Sequence, residues 1–222
     1  YRYASDKRYL VNRYFHNLNS TGKIFSKLKY NVSLSHQKQE RNMEDFRYYF
    51  QTKTEGNNVI IKDQSMEVLY ATGTLSNLFV DKKIDLQLGY EIVNNKGFSL
   101  VQEADNKVIP IRKTLENYDF FVSSEIKATE KFSIRPGIRA SAQSKFKDQQ
   151  ASSLALRYLL EKGIEIRGSY GNSFRTPSFE ELYSKQIFDG HFFAGNENLI
   201  PESSTSYEIK KKKNSFLASD LQ

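Results

Sequence analysis

The chain has 222 residues, a formal net charge of +7 and no cysteine. The length suits one large domain or two small ones, and the lack of thiols excludes a disulfide scaffold and a thiolate metal site. Mean hydropathy is −0.63, and no stretch approaches the ~18 apolar residues of a helical membrane span. A membrane β-barrel stays open, because half of each barrel strand faces a polar interior.

No signal-peptide pattern opens the sequence at Tyr1, so an exported protein would carry its start upstream. From Arg8 to Ile24 the pattern is a loose strand. After a polar break at Ser26-Lys27, Tyr30, Val32 and Leu34 alternate with Asn31, Ser33 and Ser35. The stretch 37–65 is polar and charged and reads as a loop, with Gly56-Asn57-Asn58 as its turn signal. Phe46 to Phe50 either extends the strand or lies in that loop. Leu69, Ala71, Gly73 and Leu75 form one face of the next strand, and Asp81-Lys82-Lys83 reads as a tight turn.

The cleanest strand follows. Ile84, Leu86, Leu88, Tyr90 and Ile92 alternate with Asp85, Gln87, Gly89 and Glu91, the period of two of a half-buried strand. Asn94-Asn95-Lys96-Gly97 is expected to end it, with a loop to about Glu116. Tyr118, Phe120, Val122 and Ile126 make another strand, Thr129-Glu130-Lys131 a turn, and Phe132, Ile134, Ile138 and Ala140 the returning strand. Pro136 inside it argues for an edge or a bulge. A polar loop at 145–150 leads to Leu154, Leu156, Tyr158 and Leu160. Glu161-Lys162-Gly163 then turns into the strand of Ile164, Ile166 and Tyr170.

Pro177 fixes its own φ and disfavours helical geometry at Thr176, so this strand ends there. Ser178 and Glu181 have capping-box spacing, which predicts a single helical turn. Ser204 to Ile209 reads as a returning strand, the lysines from Lys210 as a turn through Asn214, and Phe216 as the start of a last strand. That makes about ten strands and an all-β chain. Tight turns after 25, 80, 128, 160 and 210 alternate with longer connections at 37–65, 95–116, 144–151 and 174–203. Outer-membrane barrels have this asymmetry between periplasmic turns and extracellular loops; a soluble sandwich has no reason for one consistently tighter end.

Two boxes in the long connection sharpen the reading. Phe174-Arg175-Thr176-Pro177-Ser178-Phe179-Glu180-Glu181-Leu182-Tyr183 resembles the FRAPS-x-x-ELY box of TonB-dependent outer-membrane receptors. Gly195-Asn196-Glu197-Asn198-Leu199-Ile200-Pro201-Glu202 resembles their GNPNLKPE box, and Ser206-Tyr207-Glu208-Ile209 is similar to the start of the strand that follows it. Glu197 stands where the family has proline, and Lys210 where glycine is common. The resemblance implies an antiparallel transmembrane β-barrel, of which these strands are part of roughly 22. It also implies a plug domain outside these residues and an outer-membrane location in a Gram-negative bacterium. The activity implied is uptake of a scarce large ligand (ferric siderophore, haem, cobalamin or oligosaccharide), driven by the TonB energy-transducing complex acting on the plug.

The polar positions Asp85, Glu91, Asp119, Glu125, Arg135, Arg139, Arg157, Glu165 and Arg167 share the predicted inward face. They either dock a plug or neutralise one another as an ion-pair lattice. No Ser-His-Asp order, HExxH or glycine-rich phosphate loop appears. His16, His36 and His191 lack ligand spacing, so neither an enzyme nor a resident cofactor is expected. The basic residues are too dispersed to suggest a nucleic-acid partner. In the first box and the stretch between the two, Arg175, Tyr183, Phe188, His191, Phe192 and Phe193 are the candidate ligand-binding residues. Haem receptors of the resembled family carry an iron-coordinating histidine in this loop, so His191 would matter if haem were the transported ligand; otherwise it is an ordinary loop histidine. The box residues also have a structural reading, fixing the ends of the loop and bonding its backbone. Two other classes remain: a secreted β-rich binding module, with apolar faces buried between two sheets, and a passive porin without a plug.

Overall fold

The computed structural model describes residues 2–25, 27–79, 83–102, 107–188 and 191–213. Nine strands form one antiparallel meander: β1 (Tyr3–Ile24), β2 (Leu28–Tyr49), β3 (Thr54–Ser76), β4 (Ile84–Gln102), β5 (Val108–Lys127), β6 (Phe132–Gln143), β7 (Gln149–Leu159), β8 (Ile164–Arg175) and β11 (Glu202–Lys213). Between β8 and β11 lie a short helix, α1 (Phe179–Tyr183), and a small hairpin of β9 (Lys185–Phe188) and β10 (His191–Ala194). Within the described residues β1 and β11 each pair along one edge only.

The register puts like beside like. Leu75 pairs with Leu88 and Leu88 with Val122; Val122 pairs with Ile138, and Ile134 with Leu156. Tyr158 pairs with Ile166 and Tyr170 with Tyr207. Leu86, Leu88, Tyr90, Phe120, Val122, Ile134, Ile138, Leu154, Leu156 and Ile166 thus share one face, as the alternation predicts. That face is bare: Phe120 is 55% exposed, Ile138 56% and Leu18 68%. No second sheet covers it among the described residues, as a sandwich would require. A contiguous apolar face of this extent needs an apolar neighbour.

The opposite face is polar and internally paired. Arg139 reaches Glu91 (2.7 Å) and Asp119 (2.5 Å), Arg135 reaches Glu125 (2.6 Å), and Arg157 and Arg167 both hold Glu165. Asp85 accepts from the Asn77 N–H at the β3–β4 turn. Eight of the nine charges read from the sequence pair with one another as a lattice, and Asp85 bonds the backbone instead.

Four expectations are corrected. The stretches 37–65 and 95–116, read as loops, are mostly strand: β2 runs 22 residues and β3 23, joined at 50–53, and β4 runs through Asn94–Gly97 to Gln102. The turn signal Gly56-Asn57-Asn58 is instead a bulge in β3. The register slips between Asp45 and Arg47 of the partner strand, with Asn57 at φ 55; an extra residue in one strand is absorbed this way. Pro136 lies in neither an edge strand nor a bulge, since β6 is flanked by β5 and β7. The β5–β6 ladder skips from Ser123–Gly137 to Ile126–Ile134 without changing register, which fits a residue with no N–H to give. Lys210 to Lys213 are strand rather than turn, paired with Arg167 to Ile164.

The tight turns at 128–131 and 161–163 stand where the sequence puts them, the latter a single 3-10 turn closed by Gly163 at φ 71. The expected turn at Asp81-Lys82 and the strand from Phe216 lie outside the described residues. The β2–β3 connection at the opposite end is no longer than these, so the expected asymmetry of turns is instead one of strand length. At the other end β1 to β5 climb far beyond the apolar belt. Twenty-two residues span ~70 Å at ~3.3 Å each, whereas ~9–11 tilted residues cross a bilayer.

Candidate functional site

The hydrophobic core of the molecule is small and sits at the far rim, on the polar face. Phe179 and Leu182 are each 1% exposed and Tyr183 5%, packed against Ile111, Leu115 and Phe146. The Phe179 ring lies on Gly97 so closely that a Cβ there would overlap it. Gly97, read from sequence as part of a turn, is a bare patch of β4 that lets the ring approach. The connection between β8 and β11 therefore folds inward across the sheet instead of projecting away from it.

Local chemistry holds α1 in place. Ser178 caps the helix: its Oγ accepts from the Glu181 N–H (3.3 Å), and the Glu181 carboxylate accepts from the Ser178 N–H (2.7 Å). This reciprocal pair satisfies two of the donors that a helix start leaves open. The turn closes at Ser184, whose N–H donates to the Glu180 carbonyl (3.1 Å).

Arg175, the last residue of β8, ties the two boxes together. Its Nη1 and Nη2 donate to the two Glu181 carboxylate oxygens, each at 3.0 Å; Nε and Nη2 donate to Glu202 at 3.2 and 3.0 Å. Glu202 is also the β11 residue paired with Arg175 across the ladder. A planar guanidinium is suited to bidentate bonding of this kind. The Arg175 fork, with the Ser178 backbone bond, holds the Glu181 carboxyl down at about 2. Glu202 is lowered by the same guanidinium, and Arg175 is raised in turn.

The second box closes against the first through its backbone. The Gly195 N–H donates to the Ser184 carbonyl (2.6 Å) and that of Asn196 to the Glu181 carbonyl (2.8 Å). A Cβ on Gly195 would stand 2.7 Å from the Leu182 carbonyl carbon. Asn198 N–H bonds the Asn196 side chain (2.9 Å) and Leu199 N–H the Asn196 carbonyl (3.2 Å), making a turn that leads through Pro201 into β11. Phe174 is half-buried on β8 and Pro177 is buried under the helix start.

The candidate ligand residues divide. Arg175 is committed to two carboxylates and Tyr183 to the rim core. Tyr183 is not inert, however. The Lys113 and Lys145 ammonium groups sit 5.4 and 5.5 Å from its ring centre. Neither lysine has a carboxylate within ion-pair distance among the described residues. Phe193 is 50% exposed on β10. The backbone of the hairpin pairs His191 with Phe188 and Phe192 with Ile187; the side chains of Phe188, His191 and Phe192 lie outside what the structure describes. Sequence reasoning missed Gly97, Ile111, Leu115, Lys113, Lys145 and Phe146, because most of them fall in stretches read as loop.

The family model for TonB dependent receptor-like β-barrels matches residues 1–220. The chain belongs to that family. Members are transporters of the Gram-negative outer membrane rather than enzymes. Among solved structures, the siderophore receptor PirA from Acinetobacter baumannii matches at 15% identity and a TM-score of 0.70, over 93% of this chain and 33% of that one. A mutant of the ferric enterobactin receptor PfeA from Pseudomonas aeruginosa matches at 15% and 0.72, over 92% and 32%. The RagAB peptide importer matches at 12% and 0.54, over 91% and 28%. No curated protein matches the chain in sequence. The chain spans about a third of the length of these receptors. By the barrel fold of this family the apolar face corresponds to the outside of the barrel, and the charged lattice and the α1 connection lie on its inner face.

Proposed function

We propose that the chain is barrel wall of an outer-membrane receptor that takes up a scarce, large, anionic ligand in a TonB-dependent manner, a ferric siderophore foremost. The observation that carries this reading is the overhang at the lumen rim. A loop stapled inward by Arg175, Glu181 and Glu202 presents the β9–β10 hairpin over the mouth, beside Lys113 and Lys145, which rest on Tyr183 and have no carboxylate in ion-pair reach among the described residues. Ordered loops on a rigid scaffold are where recognition is usually built. Cations without a local carboxylate favour a negatively charged cargo, and the siderophore receptors among the structural neighbours point the same way. The mechanism is capture followed by gated passage, with no covalent step. Outer-membrane lipid covers the belt, and the energy-transducing complex acts through a plug. Haem enters only as an alternative cargo, through His191, and is no resident cofactor.

The test replaces residues 184–194 with a Gly-Ser linker in the full-length receptor. Binding of a ferric siderophore panel is expected to be abolished while the heat-resistant electrophoretic mobility of the barrel is unchanged. His191→Ala lowers uptake only if the cargo is haem. Undiminished binding after loop replacement overturns the reading and moves recognition to other loops or the plug.

A further inference from the structure

β3 outruns its neighbour on one side. It pairs with β2 from Thr54 to Ser76, whereas its ladder to β4 runs only from Gln64–Ser99 to Leu75–Leu88. Beyond Ser99, β4 continues against β5 and ends at Gln102, paired with Val108. From Thr54 to Asp63 the β4 side of β3 therefore has no strand against it among the described residues. In an antiparallel strand alternate residues direct both backbone groups to the same side. Half of this stretch thus presents N–H and C=O groups without a ladder partner, a template for another extended chain.

The residues along that edge are unlike the rest of the hairpin. Gly56, Asn57, Asn58, Val59, Ile60 and Ile61 carry no charge, and Val59, Ile60 and Ile61 are all exposed although they alternate between the two faces. The ionic groups around them are engaged on the other side, with β1 and β2. Glu55 holds Arg8 (2.6 Å), Asp63 holds Arg41 (2.7 Å), Lys62 holds Glu40 (2.8 Å), and Glu44 accepts from Asn58 (2.8 Å). Register shifts fall on either side, at Asp63 and at Asn57-Asn58, and leave Val59 to Lys62 as a regular run. Free edges are ordinarily blunted by charge or proline within the strand, and Val59 to Ile61 has neither. Ile60 stands ~30 Å along the strand from Leu69 at ~3.3 Å per residue, which is ~20 Å along the barrel axis at the usual tilt. A headgroup layer is ~5–8 Å deep, so the edge lies in water beyond it.

We propose that the Thr54–Asp63 edge takes an extended, uncharged, β-branched segment of a soluble partner protein as an added strand, centred on Val59, Ile60 and Ile61. The choice of a soluble partner rests on the membrane placement in the proposed function; the free edge does not. Ladder hydrogen bonds give such an addition its affinity, and side chains on alternate faces give it specificity. Val59 and Ile61 meet the added strand on one face and Ile60 on the other, where β-branched cross-strand pairs stabilise it. A charged segment would find no counter-ion, because the carboxylates and cations beside the run are already engaged.

The full-length receptor in detergent is mixed with the peptide acetyl-Thr-Val-Thr-Ile-Thr-amide, or with the same peptide N-methylated at every amide, and hydrogen exchange is followed across residues 54–63. Without peptide, alternate amides of Val59 to Lys62 should exchange as fast as those of a loop, while the ones bonded to β2 stay protected. With the peptide at ~10 times its Kd the fast amides should slow about tenfold. The methylated twin keeps the side chains but has no donors, and should leave them unchanged. Ile60→Lys should weaken the peptide roughly fivefold, the contribution of one cross-strand apolar pair. Protection of the free-side amides before any peptide is added would show that the receptor covers its own edge, and overturns the proposal. So does equal protection by the methylated twin, or undiminished peptide binding by Ile60→Lys. If Ile60→Lys fails to fold, the methylated twin decides. A spin label at Leu88 in the same preparations separates the two levels. Lipid contact there with no protection by the peptide refutes only the added strand, whereas protection without lipid contact refutes the membrane placement and not the edge.

Discussion

Phe179→Ala tests whether the rim core, and not merely chain connectivity, holds the overhang in place. Phe179 is 1% exposed, with its ring on Gly97 and 5.4 Å from that of Tyr183. A buried aromatic removes ~150–250 Å² from water, worth ~4–6 kcal/mol at ~25 cal/mol/Å². Measured truncations of buried Phe cost ~3–5 kcal/mol. Partial collapse of Leu182 and Phe146 into the gap sets the expected loss near ~3 kcal/mol. That lowers the ratio of seated to released loop by ~10². The amides to watch are Gly195 and Asn196, which donate to Ser184 and Glu181 only while the loop is seated. Hydrogen exchange of the full-length receptor should accelerate there by about two orders of magnitude, with the β4–β5 and β7–β8 amides of the belt unaltered. Unchanged exchange at Gly195 and Asn196 would refute the claim that the aromatic seat holds the loop. Acceleration throughout the belt would show that the rim and the wall are one cooperative unit.

The remaining predictions concern charge, close approach and orientation. The Glu181 carboxyl, near 2 when folded against an ordinary 4.5, stabilises the stapled loop fully above 4.5. Its contribution is lost as the pH falls from there towards 2. Limited proteolysis of 184–194 should therefore speed up between pH 5 and 3, and Glu181→Gln should flatten that dependence. Gly195→Val forces a side chain against the Leu182–Tyr183 backbone and should release the loop at neutral pH, seen as tryptic cleavage at Lys185. Spin labels at Leu88 and Gln87 should differ, the first reporting oxygen from lipid and the second a water-soluble relaxant. Equal exposure to the relaxant would count against the barrel.

The wall was legible in the sequence where one face is apolar. In β4 to β8 one face must be apolar, so Leu86, Leu88, Tyr90, Phe120, Val122 and Ile138 alternate cleanly and their orientation follows from period alone. Above the belt water wets both faces, and a strand can stay paired with no alternation at all. That is why 37–65 and 95–116 looked like loops although their backbones continue the ladder. Lys210 to Lys213 misled for the same reason at the other end. Glycines added a second ambiguity: Gly56 marks a bulge and Gly97 a seat for a ring, and neither job leaves a local signature distinct from a turn. The site was half legible. The capping box at Ser178 and Glu181 is local and was readable. The Arg175–Glu202 bond spans 27 residues and depends on a β8–β11 register that periodicity does not supply. Lys113 and Lys145 could not be picked from other surface lysines until Tyr183 was placed between them.

A division of labour follows from where the apolar side chains lie. Among the described residues the buried hydrophobic ones are Phe46, Val101, Phe179, Leu182 and Tyr183, far too few to hold a sheet of nine strands by internal burial. In the proposed membrane setting the wall takes its apolar stabilisation from the bilayer and its register from the ladder. The rim core can then hold the overhang without also holding up the barrel. Leu69, Ala71, Gly73 and Leu75 lie on the apolar face of the same strand that further along carries Lys62 to its bond with Glu40. On β5, Phe120 lies on the bare apolar face, while Ile111 and Leu115 turn to the other face under α1 and Lys113 rises beside Tyr183. One strand thus serves the apolar face, the polar face and the loop at successive positions along its length. A substitution's effect should depend first on its height along the strand, and only then on the chemistry of the residue.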